Sequence, residues 1–281
     1  MTVAFVEAHR ADYGVEPICR ELAIAPSTFY RHRTHHVDPT TRSDRAQRDD
    51  GLRVETQRVW DAHHQVYRPR KVWKQLRRDG IAVARCTMQR LMREMGLVGV
   101  VRGRAWTTTT LPDTAATRPP DLVERTFTAE RPNQLWVSDF TYVATWHGFV
   151  YVAFVIDVFA RRIVGWRVSA SLKTDFVLDA LEQAIHARCG TTLPGLVHHS
   201  DRGTQYLSMR YSDRLADEGI APSVGSRGDS YDNALAESVI GLFKTEIIHR
   251  RGPSRTLEAV EFATLEWVDW FNTQRLLVPI G

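Results

Sequence analysis

Apolar residues follow two different periods along this chain. Up to about residue 100 they recur at helical spacing, between 134 and 168 they form nearly unbroken β-branched and aromatic blocks, and then helical spacing returns. In the first stretch, 17–22 (PICREL) and 26–33 (PSTFYRHR) predict two short helices around a turn at 23–25, the second opened by Pro and Ser. Such a pair fits a helix-turn-helix unit that reads a major groove, and fits equally any small helical hairpin. Residues 57–63 and 70–78 predict two more helices, the latter with Val72, Trp73 and Leu76 on one side and Lys71, Lys74 and Arg78 outward. The next, 85–95, sets Met88, Leu91, Met92 and Met95 on one face, and Arg85, Gln89, Arg90 and Arg93 on the other. The methionines are read as core, and the opposite face with Arg70, Lys71 and Lys74 as a nucleic-acid contact surface.

The second texture predicts strands at 134–143, 149–157 and 162–168, with turns at His147-Gly148 and Ala160-Arg161. A helix at 174–188, a short strand at 196–199, a helix at 209–218 closed by Gly219, and helices at 234–248 and 257–271 complete the series. Three antiparallel strands, then helix, strand, helix and further helices, is the order of a ribonuclease-H-like α/β domain. Two polar stretches punctuate the chain: 34–50 and the Thr-, Pro- and Arg-rich 102–130. The expected organisation is therefore a helix-turn-helix-like segment at 1–33, a linker at 34–50, a helical domain with the basic face at 51–101, a linker at 102–130, and the α/β domain at 131–281.

Charge sharpens this division. Residues 1–130 hold 22 Lys and Arg against 16 Asp and Glu, whereas 131–281 hold 15 against 17. Residues 68–104 alone hold 11 basic residues and two acidic ones. A cluster of that kind suits a polyanion, because each phosphate contact releases condensed counterions; a solvated helix face is the alternative. No apolar run reaches the roughly 20 residues of a membrane span, and the N-terminus lacks the pattern of a signal peptide, so a cytoplasmic protein with no membrane association is expected. Cys19, Cys86 and Cys189 lie far apart and form no thiolate zinc motif.

Three acids stand out by position. Asp139 interrupts an apolar strand, Asp201 directly follows the fourth strand, and Glu237 lies in the first half of a helix. A charge in a buried strand is costly unless paired or bound to metal. If the first and fourth strands are neighbours, the two aspartates converge and the helix lowers Glu237 towards them. Hard oxygen donors without cysteine suit Mg²⁺ or Mn²⁺, and two such ions serve in-line phosphoryl displacement. Taken singly, each acid is as readily a turn, cap or surface residue; only the pattern carries the reading.

The blocks Asp139-Phe-Thr-Tyr142, His199-Ser-Asp-Arg-Gly-Thr-Gln-Tyr206 and Tyr231-Asp-Asn-Ala-Leu-Ala-Glu-Ser238 resemble those of bacterial insertion-sequence DDE transposases related to retroviral integrases, with mycobacterial-type elements the nearest in pattern. The 35 residues between Asp201 and Glu237, and Lys244 seven residues further on, match the family's pattern. The resemblance spans nearly the whole chain and implies that 51–101 is a DNA-binding domain and 131–281 a catalytic core, an integrase core built on a mixed five-stranded sheet flanked by helices. It implies that Asp139, Asp201 and Glu237 are catalytic and bind two Mg²⁺ or Mn²⁺ ions. Lys244 would contact the transposon end, with Arg202, Tyr231 and Asn233 as further DNA contacts. Ser200, Gly203, Gln205 and Tyr206 would shape the loop beside Asp201, and Gly225, Gly228 and Asp232 the loop entering the Glu237 helix. Asp232 or Asn233 would also serve as the N-cap of that helix.

The implied reaction hydrolyses a phosphodiester at the element's end and joins the exposed 3′-OH to target DNA. Its partners would be element terminal repeats and target DNA, a second copy of the chain, and a product of an upstream reading frame. Two departures qualify the resemblance. After Phe271-Asn-Thr-Gln-Arg275 the chain reads Leu276-Leu-Val-Pro-Ile-Gly281 rather than the family's longer segment, so a truncated core with a poorly anchored last helix is expected. The alternative function is then a catalytically impaired DNA-binding remnant that inhibits intact copies. Tyr67-Arg68-Pro69-Arg70 also departs from the usual Tyr-Gly before that helix.

Overall fold

The computed structural model describes residues 2–101, 119–123, 126–188, 195–201, 203, 205–225 and 233–277. It divides into two compact units, 1–98 and 99–281. In the first unit, α1 (Thr2–Tyr13), α2 (Val15–Glu21) and α3 (Pro26–Val37) enclose a small core of Val6, Ile18, Cys19 and Phe29. The α2–α3 turn closes at Ala23, which takes a left-handed φ of 53°, while Ile24 N–H donates to the Cys19 carbonyl at 3.0 Å. Helix α1 has no counterpart among the elements expected from the pattern. Only Val6 of its residues is buried, so it carries almost no apolar stripe to read.

The stretch 34–50, expected as a linker, is largely helical. Helix α3 continues to Val37, and α4 (Asp44–Ala62) begins well before the expected helix at 57–63. The reason is local polar chemistry. Ser43 caps α4 by accepting from Ala46 N–H, and Asp38 caps a short 3₁₀ turn at Pro39–Thr41 by accepting from Thr40 N–H. Helix α4 packs on α5 (Pro69–Arg78) and α6 (Arg85–Glu94) around Leu52, Val59, Val72, Leu76, Met88, Leu91 and Met92, all buried. The methionines Met88 and Met92 are core as expected; Met95 is half-buried at the end of α6. His63 stacks on Tyr67 with ring centroids 4.2 Å apart, and burial pushes its pKa down to about 4.

In the second unit, among the described residues, five strands form one sheet in the order β3-β2-β1-β4-β5. Strands β1 (Leu135–Thr145), β2 (Gly148–Asp157) and β3 (Arg162–Ser169) are antiparallel, while β4 (Val197–Ser200) and β5 (Ala221–Val224) run parallel to β1. This is the mixed five-stranded sheet flanked by helices that the resemblance implies. The fourth and fifth strands are four residues each, and β5 carries Pro222 at the sheet edge, where a missing N–H is tolerated. Its four residues, broken by Pro222, give no strand signal of their own.

Helices α7 (Thr174–Ala187) and α8 (Met209–Asp217) cover one face around Trp136, Phe176, Leu181 and Tyr211. Helix α7 lies very close to the sheet at Gly165, where a Cβ would stand 2.0 Å from the Ala180 carbonyl oxygen. The other face packs on α9 (Ala234–Phe243) and α11 (Leu257–Thr273) through a triangle of rings: Phe154, Phe243 and Trp267, with centroids 5.3–6.0 Å apart. Between these helices, where one continuous helix 234–248 is expected, the backbone widens to a π-helical turn at Lys244–Ile248 followed by α10 (His249–Arg251).

The π turn directs Glu246 inward. Its carboxylate accepts from Arg275 Nη2 at 2.7 Å and from Trp267 Nε1 at 3.1 Å, and the Glu246 and Arg275 side chains are only 6% and 5% exposed. At the same end of α11, Asn272 exchanges two 2.9 Å hydrogen bonds with the backbone of Ile163 on β3. The last helix is therefore firmly anchored, and the expectation of a poorly braced core is overturned. Its anchors are polar groups (Asn272, Arg275) whose partners are distant in sequence.

Replacing Arg275 with Met leaves the Glu246 carboxylate buried without its charge partner. The expected loss is about 3–5 kcal/mol of unfolding free energy in urea, most of it restored by adding Glu246→Met. An R275M protein within about 1 kcal/mol of wild type would show that the pair does not brace α11.

Candidate carboxylate site

The site follows from where two strands part. Strand β1 is central, and its first residues pair with β4 as far as Ser138 opposite Ser200. There β4 ends, while β1 continues against β2 alone, with Asp139 opposite Phe154. Asp139 and Asp201 are the next residue on each of two adjacent parallel strands, so they emerge together at the split. The convergence expected of the first and fourth strands is present.

Each aspartate is held by a backbone amide. Asp139 accepts from its neighbour Phe140 N–H at 2.8 Å, and Asp201 accepts from Gly203 N–H at 3.0 Å. A Cβ at Gly203 would lie 3.0 Å from the Asp201 Oδ1, so glycine lets the loop fold back over the carboxylate. Burial pushes the Asp139 pKa well above the usual carboxylate range, and the negative charges of Asp201 and Glu237 push it further; the Phe140 amide and Lys244 oppose this. Asp201 is also raised by burial, against the pull of the Gly203 amide and His199. Like charges held out of water in this way invite a cation.

Beneath the pair lies a buried polar network. Ser138 Oγ is 2.7 Å from His198 Nε2, which also lies 3.1 Å from the Tyr211 hydroxyl. Burial holds His198 neutral, with its pKa pushed down to about 3. One residue on, the Nδ1 of His199 is 2.9 Å from Ser223 Oγ on β5, tying the short parallel strands together by side chains as well as backbone. Tyr206 is buried, its hydroxyl has no partner among the described residues, and burial first, then Tyr211 and the two aspartates, push its pKa upward.

Glu237 sits in the first turn of α9, half-buried and within electrostatic reach of Asp139. A carboxylate there is favoured by the positive end of the helix dipole. Asn233 stands at the N-cap position of α9, and its carbonyl accepts from Glu237 N–H at 3.0 Å. Its side chain makes no capping bond; instead Nδ2 donates to the Ser138 carbonyl at 2.9 Å, beside Asp139, and the residue is buried. Asn233 thus ties the third acid's helix to the first acid's strand, a role that motif matching alone does not reveal. Among the described residues no group of three His, Cys, Asp or Glu is spaced to hold a metal ion. The charges of Asp201 and Glu237 both bear on Asp139, the latter from the first turn of α9.

Lys244 opens the π turn, with Nζ 4.8 Å from the centre of the Tyr142 ring; burial lowers its pKa and Asp139 partly offsets this. Arg202, Gly228, Tyr231 and Asp232 lie outside the described residues. On the first unit, Arg70, Arg85, Gln89 and Arg93 are exposed, and Lys71 and Lys74 half-buried. Arg90 bridges Asp49 at 2.7 Å and Glu94 at 2.9 Å within the helical unit. Among the described residues no helix is long and apolar enough to cross a membrane.

Comparison with known proteins places these features. Family models described as "Integrase core domain" match residues 129–230 and 218–276, and one described as "HTH-like domain" matches 47–105. The chain is 58% identical over 272 residues to a transposase for insertion sequence element IS629 of Shigella sonnei, covering 97% of this chain and 90% of that protein. It is 54% identical over 263 residues to a putative transposase of IS986/IS6110 from Mycobacterium tuberculosis, covering 92% of each. Among solved structures, the HTLV-2 integrase catalytic core domain in complex with magnesium is 18% identical, covering 55% of this chain and 95% of that one with a TM-score of 0.42.

The buried histidine gives the site a pH signature. Because the folded pKa of His198 lies far below its ordinary value of 6.5, the unfolded state takes up a proton first as pH falls. Its contribution to stability is complete above pH 6.5 and declines steadily down to about pH 3, whereas the raised carboxyls of Asp139 and Asp201 act in the opposite sense. Thermal melts between pH 7.5 and 5 are expected to fall less steeply for His198→Gln than for wild type; equal slopes would show that His198 is not held neutral. With the integrase core matched across both halves of the second unit and relatives above 50% identity over nine-tenths of each chain, this protein belongs to the insertion-sequence DDE transposases.

Proposed function

We propose that the chain cleaves the ends of its element and joins them to target DNA in a divalent-metal-dependent reaction, with Asp139, Asp201 and Glu237 as the catalytic and metal-binding acids. The observation that carries this reading is the pair of aspartates at one register of two parallel strands, each with a raised pKa. The donor chemistry suits Mg²⁺ or Mn²⁺, because all three groups are hard carboxylate oxygens and the carboxyls of Asp139 and Asp201 are raised by burial. When bound, two such ions supply Lewis-acid charge at the phosphorus–oxygen bonds being made and broken.

The chain's own residues set the geometry. The Phe140 and Gly203 amides fix the carboxylate rotamers, and Asn233 fixes the entry of α9 against β1. Lys244, beside Asp139, binds a phosphate of the DNA strand, and the exposed α6 face with Arg85, Gln89 and Arg93, together with Arg70, Lys71 and Lys74, tracks the duplex. Arg202 and Tyr231 are further contacts by resemblance. No side-chain nucleophile is needed: water attacks the phosphodiester at the element's end, freeing a 3′-OH, and that hydroxyl displaces a 3′ oxygen in target DNA. Two ends must be held together, so the active complex contains at least two copies on DNA; an upstream-frame product would assist, and the reaction takes place in the bacterial cytoplasm.

A labelled duplex carrying the element's terminal repeat, incubated with target DNA and Mg²⁺ or Mn²⁺, is expected to give joined products. Asp139→Asn, Asp201→Asn and Glu237→Gln should each lower the rate by at least about 100-fold, and chelation should abolish it. Cut but unjoined products would replace this reading with a nuclease; bound DNA with neither would remove the enzyme reading.

A second measurement needs no activity. Because the Asp139 carboxyl is raised by burial and by its neighbours, its ionised form at neutral pH opposes folding when no divalent ion is present. Asp139→Asn should therefore melt higher than wild type in chelator, by about 2–4 °C for each kcal/mol relieved. Millimolar Mg²⁺ should raise the wild-type midpoint and leave the variant nearly unchanged. A wild-type midpoint indifferent to Mg²⁺ and Mn²⁺ would count against a metal site.

A further inference from the structure

The β1–β2 hairpin extends past the acid pair and exposes three large rings: Tyr142 at 44%, Phe149 at 59% and Trp146 at 66%. Large aromatics clustered in solvent are unusual enough to require a reason. Strand register places Ala144 opposite Phe149 and Thr145 opposite Gly148, so Tyr142 and Phe149 share a face, and their rings meet edge-on at 5.4 Å. Trp146 sits in the turn. A cation lies over each end of the strip: Lys244 Nζ is 4.8 Å from the centre of Tyr142, and Arg255 Cζ is 5.0 Å from the centre of Trp146.

The hairpin tip is also fixed in place. Thr145 bridges Ser254, Trp146 N–H donates to the Ser254 carbonyl at 3.2 Å, and the His147 ring donates from Nδ1 to the Arg255 carbonyl at 2.6 Å. The strip begins at Lys244, which feels the charge of Asp139, and ends at Arg255. Rings flanked by a cation at each end match a single nucleic-acid strand, in which bases offer π-faces and phosphates offer charge. A protein partner fits less well, since lysine is depleted at the centre of protein interfaces and both end rings here already carry a cation. Glu258 is the acid facing His147 near the tip.

We propose that this strip binds unpaired nucleotides of DNA, with bases stacked on Tyr142, Phe149 and Trp146 and phosphates held by Lys244 and Arg255. The proposal rests on the strand-transfer reading above, which brings DNA to Lys244. It implies that a few bases beside the reacting phosphodiester are unstacked when the strand lies in the site.

The test uses the full chain in an Asp139→Asn background, so that binding is read without turnover. Fluorescence anisotropy compares a single-stranded thymidine oligomer of roughly 20 nucleotides and a duplex with a frayed 3′ end against a fully paired duplex. Trp146→Ala and Tyr142→Ala should each weaken binding to the first two by about 5- to 100-fold, with the paired duplex changed less than about threefold. Trp146→Phe should retain most of the affinity, because a ring remains. Unchanged binding of unpaired DNA in both alanine variants, with their melting midpoints at the background value, overturns the proposal. So does a loss of self-association in sedimentation without any loss of DNA binding, which would make the strip a contact between copies. If the parent chain joins DNA while the alanine variants bind as before, only the strip fails; if stacking is lost as expected but no joining occurs in the parent, only the catalytic reading fails.

Discussion

Two like charges held side by side where parallel strands separate is the constraint on which the second unit depends. A sheet places neighbouring residues about 5 Å apart, and the last pair, Ser138 and Ser200, delivers Asp139 and Asp201 to that spacing without any loop having to find it. The arrangement is electrostatically unfavourable by itself, as the raised pKa values record. It persists because the surrounding structure over-determines it. Ser138, His198 and Tyr211 lock the strands from below, and Asn233 locks the helix from the side. Destabilised chemistry resting on rigid packing is the usual relation between a site and its scaffold.

The face of the sheet that carries α9 and α11 shows how far that packing reaches. Phe154 lies opposite Asp139 on β2, and its ring meets Phe243 and Trp267. Trp267 in turn donates to Glu246, which is paired with Arg275. A continuous chain of contacts therefore runs from the strand bearing the first acid to the π turn that begins at Lys244. Single π turns are rare and tend to occur at functional sites. Here the widened turn inserts a buried carboxylate between two helices and sets the direction in which Lys244 leaves the helix. A buried ion pair is a poor source of net stability, but a strong selector of one geometry over its neighbours.

The acids were legible because their positions broke a pattern: a charge inside an apolar strand, a charge at a strand end, and a charge on a helix at the right interval. The helical cores were legible for the same reason, through Met88, Leu91 and Met92 at helical spacing. What the pattern did not carry was structure stabilised by polar groups. Helix α1 buries one residue, and the 34–50 stretch is helical through the caps of Asp38 and Ser43. Strand β5 is a four-residue edge containing Pro222. The expected weakness of the last helix was wrong because Asn272 and Arg275 reach partners more than 25 residues away. Arg90, on the face read as a contact surface, also pairs with Asp49, 41 residues earlier, a partner that helical spacing cannot show.

The same logic explains why the surface around the acids looks as it does. On the proposed reading, a site that concentrates negative charge repels the phosphates it would handle, so binding energy has to come from groups set just outside it. Within the second unit, where acids slightly outnumber bases, cations cannot be supplied in bulk as they are in residues 68–104. They are placed singly instead, Lys244 over Tyr142 and Arg255 over Trp146, each beside an aromatic face that adds no charge. Stacking surfaces tolerate a neighbouring carboxylate far better than a dense basic patch would tolerate the loss of its own field. On the proposed reading, the exposed rings accompany phosphodiester chemistry on paired aspartates: next to Asp139 and Asp201 a single cation, Lys244, is set against an aromatic face instead of within a basic patch.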